Sequence, residues 1–353
     1  MRYTKSNTKT LEEVSERNNK RDGILSFGVQ YLDDAMEGIL RNDLILLGAR
    51  SGAGKTQTCV NIAKANIEKG KKVHFIALEA EYLEIERRIK YQLFAKYFFN
   101  DPERPNLEIS FQKWMLGDYI KSCAKYEAEA ASEFMDGYEN LYTFYKQDTF
   151  DINTLITAVL ECKDETDLII VDHVHYFDYD DDNENKSIKE IAKTARMLTL
   201  EHGKPIILVS HLRKRDRYFN DLVPSLEEFH GSSDLYKIAT KVFTIEPGER
   251  CDSSKLETYF RIVKNRFDGS VTRYIACCNY LIKEGVYEKN YKIGDANQKR
   301  GSDVEWLTTD LHPTWSRYRA KKASGHLTLA ERTKAPNVFT NGSKYIYNPA
   351  DKD

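Results

Sequence analysis

The apolar run Leu44-Ile45-Leu46-Leu47 passes directly into GARSGAGKT, residues 48–56. A helical pattern follows, with Cys59, Ile62, Ala63 and Ile67 recurring on one face until Gly70 ends it. Strand, glycine-rich turn and helix in that order leave few folds open. The glycines let backbone N–H groups face outward, and the helix points the positive end of its dipole into the same space. A phosphate chain is the ligand that suits such a turn. The spacing follows G-x-x-x-x-G-K-[ST] apart from Ala49 at the first position, with Gly48 one residue earlier. In this reading Arg50, Ser51, Gly52, Ala53, Gly54, Lys55, Thr56 and Gln57 bind ATP. Lys55 reaches the β- and γ-phosphates, and Thr56 ligates Mg2+.

Further short apolar runs alternate with helical patterns. DLILLGA (43–49), KVHFIAL (72–78), DLIIVD (167–172), PIILVS (205–210), KVFTIE (241–246) and TYFRIVKNRF (258–267) read as strands. TQTCVNIAKANIEKG and NKSIKEIAKTARMLTLEHG read as helices between them. Continuous apolar strands separated by amphipathic helices imply an α/β fold, a mostly parallel twisted sheet with helices on both faces. Residues 1–22 are polar and read as an arm or linker helix. The folded domain is expected over 23–289, with a helical excursion at 80–150. Residues 290–353 read as a polar, irregular C-terminal extension.

A phosphate loop of this kind needs carboxylates from neighbouring strands. Asp172 closes the run Leu168–Val171 and suits a Mg2+ ligand. Glu79, just past VHFIAL, suits the base that polarises an attacking water, with Glu81 in reserve. His211 follows PIILVS at another strand mouth, where a polar side chain can register loss of the γ-phosphate. His173 and His175 follow Asp172 and together with it suggest a metal cluster, but strand alternation turns His173 away from it. No third nitrogen or sulfur lies nearby in sequence at ligand spacing, so no separate metal site is expected. The acidic run DYDDDNEN lacks the glycine and glutamate of a calcium loop and reads as solvated. Lys264 and Arg266 share one side of a strand end. In a ring of subunits that end can face a neighbour's nucleotide.

The chain has 353 residues, 41% of them hydrophobic, enough for a sizeable core. Its formal net charge of −2 means that any nucleic-acid contact must come from a local basic patch. The six cysteines form no CxxC pair, which fits reduced thiols rather than a disulfide frame. The first residues carry no apolar signal-peptide region, and no apolar stretch is long enough to span a bilayer. No membrane association and a cytoplasmic location are therefore expected.

GARSGAGKT, ALEAE, DLIIVDHVHYF, NENKSIKEIAKTARMLTLEHGKPIILVSHLRK and FRIVKNRF occur in the order and approximate spacing of the ATPase domain of DnaB-type replicative helicases. The resemblance covers roughly residues 23–280 and implies a RecA-like P-loop ATPase core. It also implies a homo-oligomeric ring, a hexamer, with ATP between subunits, single-stranded DNA in the channel and replication proteins as further partners. Lys55 and Thr56 match the Walker A residues, Asp172 the Walker B aspartate, Glu79 the catalytic glutamate, and Lys264 and Arg266 the trans-acting pair. His211 falls at the family's phosphate-sensing position. Two loops are expected to face the channel, around Tyr179–Lys186 and over 213–234. The second carries Arg213, Lys214, Arg215 and Arg217 beside Tyr218, which suits phosphate neutralisation and base stacking. The function the resemblance implies is ATP-dependent DNA unwinding in replication. The alternatives are a DNA-binding recombination or repair ATPase, or a nucleotide switch acting through protein partners.

Overall fold

The computed structural model describes residues 24–179, 184–212, 221–229, 233–300 and 306–309. Among these, ten strands form one sheet in the order β10-β9-β8-β7-β6-β1-β5-β4-β2-β3. The strands are β1 (Leu44–Ala49), β2 (Val73–Ala77), β3 (Leu141–Tyr145), β4 (Leu168–Asp172), β5 (Ile206–His211), β6 (Lys241–Arg250), β7 (Lys255–Asn265), β8 (Tyr274–Leu281), β9 (Val286–Asp295) and β10 (Leu307–Thr309). Strands β1 to β6 pair in parallel. From β6 outward the pairing is antiparallel.

The parallel half is as the apolar runs predict. Every residue of β1 and β4 is buried, because helices cover both faces. Ile45 and Leu47 join one core, with Phe27, Ile62 and Phe243. Leu44 and Leu46 join the other, with Leu155, Ile191 and Leu198. This two-residue alternation is what places a core on each side of the sheet. A buried ion pair fastens the amino end of the sheet. Lys241 Nζ sits 2.7 Å from Asp43 and donates to the Gly38 carbonyl at 2.6 Å.

Two expectations need correction. The excursion at 80–150 contains the helices Glu84–Asn100, Phe111–Met115 and Ala124–Gly137, but it ends in β3, which extends the parallel sheet beyond β2. Its sequence LYTFY is half-exposed and flanked by charge, so it lacks the continuous apolar signature of the inner strands. The rest of the excursion is a cluster of rings, Tyr91, Phe94, Phe98, Trp114, Tyr119 and Tyr126, packed edge to face and offset. The expected boundary at 289/290 falls inside β9, and β10 pairs with β9, so the sheet continues into the segment read as irregular. β9 mixes Lys, Glu and Tyr and leaves Lys289 and Asn290 exposed, which hides it from a search for apolar runs.

Candidate nucleotide site

Strand register gathers the site. Ala49 at the end of β1 pairs with His211 at the end of β5, and Ala77 at the end of β2 pairs with Asp172 at the end of β4. The loops leaving these four adjacent strands therefore open at one edge of the sheet. That carboxyl edge is where open α/β sheets bind ligands.

After β1 the chain turns through Gly52 at φ +75° and Gly54 at φ +88°, and then enters the helix Lys55–Ile67. A side chain is strained at either angle. The space into which a Cβ would point is empty for 4 Å at both, so the turn forms an open cradle. Gly48 serves a different need, because a Cβ there would stand 2.4 Å from the Phe229 ring. Lys55 is buried. Its Nζ donates to the Arg50 carbonyl at 3.1 Å and lies 3.1 Å from His211 Nδ1. Burial lowers the Lys55 pKa, while Asp172 and Glu79 oppose the shift. Thr56 Oγ1 donates to Asp172 Oδ2 at 2.7 Å. Asp172 Oδ1 is buried without a hydrogen-bond partner. Burial pushes the Asp172 carboxyl up to about 6, against the pull of the Thr56 hydroxyl. A buried carboxylate oxygen with no donor, beside a threonine hydroxyl, is a donor set that fits Mg2+.

Glu79 lies past β2 with its side chain partly exposed. Its Oε2 stands 2.9 Å from Nε2 of the wholly buried His173. His211 meets His173 edge to face, ring centroids 4.2 Å apart. Spacing along the sequence offers no third nitrogen beside His173 and His175, yet the fold brings His211 to His173. Candidate ligand atoms of Glu79, His173 and His211 all lie within 4.8 Å of one another. The three residues stand at or just past the ends of three different strands, so their spacing along the chain carries no sign of the meeting. Burial and neighbouring positive groups hold His173 down at about 2 and His211 at about 4, leaving both imidazoles neutral. His175 is held by Glu184 at 2.8 Å and Ser210 at 3.2 Å.

Other expected residues stand apart. Gln57 turns from the cradle and donates to the Gly285 carbonyl at 2.9 Å, while accepting from Arg88. Arg50 reaches sideways to Glu228 and Glu246, and Arg300 joins Glu246. Sequence reading missed this network, whose members lie 178 and 196 residues from Arg50. Lys264 and Arg266 lie at the opposite edge of the sheet. Asn265 pairs with Lys241, at the level where β6 starts beside Ile45. Lys264 Nζ donates to the Tyr236 and Lys237 carbonyls at 2.6 and 2.9 Å, whereas Arg266 is exposed. Arg213, Lys214, Arg215, Arg217 and Tyr218 lie outside the described residues, as does much of the first channel loop. The base of the second loop is described, and Leu212 and Phe229 bridge there in antiparallel fashion.

A parallel core, an open glycine cradle on β1, Lys55 within it and Asp172 beside Thr56 define the class of RecA-like P-loop ATPases. The DnaB-like helicase C terminal domain family matches residues 23–276, and the chain belongs to that family. A probable plasmid replicative DNA helicase of Chlamydia trachomatis serovar L2 is 23% identical over 261 residues, 73% of this chain and 53% of that protein. A probable replicative DNA helicase of Trieres chinensis is 24% identical over 281 residues, 74% of this chain and 58% of that protein. The chain thus spans about half the length of the curated relatives it matches. Among solved structures, one isolated ATPase domain superposes with a TM-score of 0.67 at 19% identity, over 81% of this chain and 99% of that one. A DnaB-like replicative helicase, described with its interactions with primase, gives 0.65 at 19% identity, over 80% of this chain and 68% of that one. These likenesses support the fold. Among the described residues no helix is long and apolar enough to cross a membrane.

Proposed function

We propose that this chain is the motor of an ATP-driven replicative DNA helicase, working as a homo-oligomeric ring, a hexamer, on single-stranded DNA. One observation carries the reading. Lys55, Thr56, Asp172, Glu79 and His211 converge at the carboxyl edge of the sheet, while Arg266 stands exposed at the other edge. A chain built this way offers half a catalytic centre at each edge, and a neighbour completes it. The Gly52–Gly54 cradle receives the triphosphate, with Lys55 leaving His211 to meet the β- and γ-phosphates. Thr56 and Asp172 hold Mg2+, which when bound offsets charge on the phosphate oxygens. Glu79 accepts a proton from the attacking water. Arg266 of a neighbouring subunit stabilises the charge that develops on the transferred group. His211 registers loss of the γ-phosphate, and the Leu212–Phe229 bridge passes that change to residues 213–220, where cations and Tyr218 engage DNA.

The test is the ATPase rate of the full chain with and without single-stranded DNA, alongside the mass of the assembly and a strand-displacement assay. The expected result is a multi-subunit assembly whose hydrolysis rises with DNA and which separates strands. Lys55→Ala should abolish hydrolysis. DNA-stimulated hydrolysis without strand separation would favour a recombination ATPase. No stimulation and no salt-dependent DNA binding would favour a switch protein.

A further inference from the structure

The histidines around Glu79 are more than the hydrolytic reading uses. His173 is wholly buried, yet neither ring nitrogen has a hydrogen-bond partner. Its Nε2 is close to Glu79 Oε2 at 2.9 Å but out of hydrogen-bond alignment. A buried imidazole left in that state costs free energy unless some ligand satisfies it. Its ring faces the same small space as Glu79 and His211, and candidate ligand atoms of the three lie within 4.8 Å of one another. Ligands around a tetrahedral ion bonded at ~2.0–2.1 Å sit somewhat over 3 Å apart, so modest side-chain rotation closes the set.

We propose that Glu79, His173 and His211 form a three-ligand site for a borderline divalent transition metal of the Zn2+ or Co2+ class, distinct from the Mg2+ position at Thr56 and Asp172. Two imidazoles and one carboxylate select such an ion over Mg2+, which prefers an all-oxygen set. Three protein ligands leave a fourth position for water or a phosphate oxygen. Lys55 stands 3.1 Å from His211 Nδ1, so an ion bound through that nitrogen displaces the contact. A third imidazole packs beside the cluster. His175, whose ring centroid lies 5.6 Å from those of His173 and His211, is anchored by Ser210 and Glu184. An ion held on the Glu79 oxygen silences hydrolysis, a consequence that rests on the reading of Glu79 as the base. The site itself does not depend on that reading.

The experiment titrates Co2+ into the metal-stripped full chain, without nucleotide and with Mg2+ in large excess, and follows the visible d–d absorption. The expected result is a band that saturates at one Co2+ per chain. Glu79→Gln and His211→Gln should each weaken binding by at least about 10-fold, since even an outer-shell partner is worth that much. His173→Gln belongs in the set, with a circular dichroism melt to identify loss of fold. Glu79 is partly exposed, so its variant keeps the test valid if the buried substitution unfolds the chain. Absence of a saturable band, or a band unchanged in both Glu79→Gln and His211→Gln, overturns the site. Zn2+ added to the ATPase assay tests the consequence separately. Binding at these residues without inhibition upholds the site and removes Glu79 as the base. Loss of ATPase in Glu79→Gln without any Co2+ site does the reverse.

Discussion

Asp172 carries a carboxyl group that the fold buries with one oxygen on Thr56 and the other without a partner. Burial raises its pKa from 3.8 to about 6. Between those values the folded chain keeps a proton that the unfolded chain has shed, so this group's contribution to stability falls as pH rises through the window. Above it, the full cost of charging a buried carboxylate is present. Asp172→Asn keeps an acceptor for Thr56 and removes the charge. The nucleotide-free variant should be more stable than the parent at pH 7.5 by on the order of 1–3 kcal/mol, with the gain vanishing near pH 4. Its ATPase should be lost. Urea unfolding across pH, beside a turnover assay, checks both. At this scale the sequence exposed what is local: the glycines at 52 and 54, Lys55 and Thr56 sit within one turn and its helix start. The meeting of Glu79, His173 and His211 was hidden because strand order sets it, not distance along the chain. The Arg50 contacts with Glu228 and Glu246 were hidden for the same reason.

Elements hold the site in place through their ends. The helix Ile152–Cys162 starts at Asp151, whose carboxylate accepts from the Thr154 N–H at 2.7 Å and hydroxyl at 2.8 Å. These bonds pull the Asp151 pKa below its usual value of 3.8, so the cap's contribution is present above that pH and fades as pH falls through the lowered pKa. Asp151→Ala should cost about 1 kcal/mol at neutral pH in chemical denaturation, and less in acid. Beside the Leu212–Phe229 bridge, Glu228 closes a capping box with Ser225 and also accepts from Arg50 of the phosphate loop. This bond joins the cradle to the segment that follows residues 213–220. Glu228→Gln keeps a cap acceptor and breaks the ion pair. Stimulation of ATPase by single-stranded DNA should drop about 5-fold or more, while hydrolysis without DNA changes far less. Equal loss of both rates would deny the coupling. The inner strands were readable because both of their faces are buried. β3 and β9 were not, because residues open to water replace an apolar run with alternation too short or too charged to stand out.

At the scale of the whole molecule, the sheet separates the cradle from Arg266. Asn265 is level with Lys241 and Ile45, whereas the cradle begins beyond Ala49, so the two ends stand roughly 15 Å apart along the strands. Arg266 is exposed, and its backbone is fixed by a hydrogen bond from its N–H to the Thr240 carbonyl at 2.9 Å. Nearby Lys264 is tied to the helix Ser233–Ile238. A rigidly placed cation at the edge remote from its own phosphate loop suits a head-to-tail contact that closes into a ring. The order of motifs along the chain raised the expectation of a trans-acting pair at Lys264 and Arg266. The spatial separation of the two halves became visible only through the register of β6 and β7. The decisive measurement mixes two inactive variants, Lys55→Ala and Arg266→Ala, and assays the ATPase of the mixed assembly. In a ring with shared sites, seams that join the cradle of an Arg266→Ala chain to the arginine of a Lys55→Ala chain are intact, roughly a quarter of all seams at equal mixing. The account predicts that hydrolysis returns on mixing. Mixtures as inactive as their components, or an Arg266→Ala chain that hydrolyses ATP normally on its own, would contradict it.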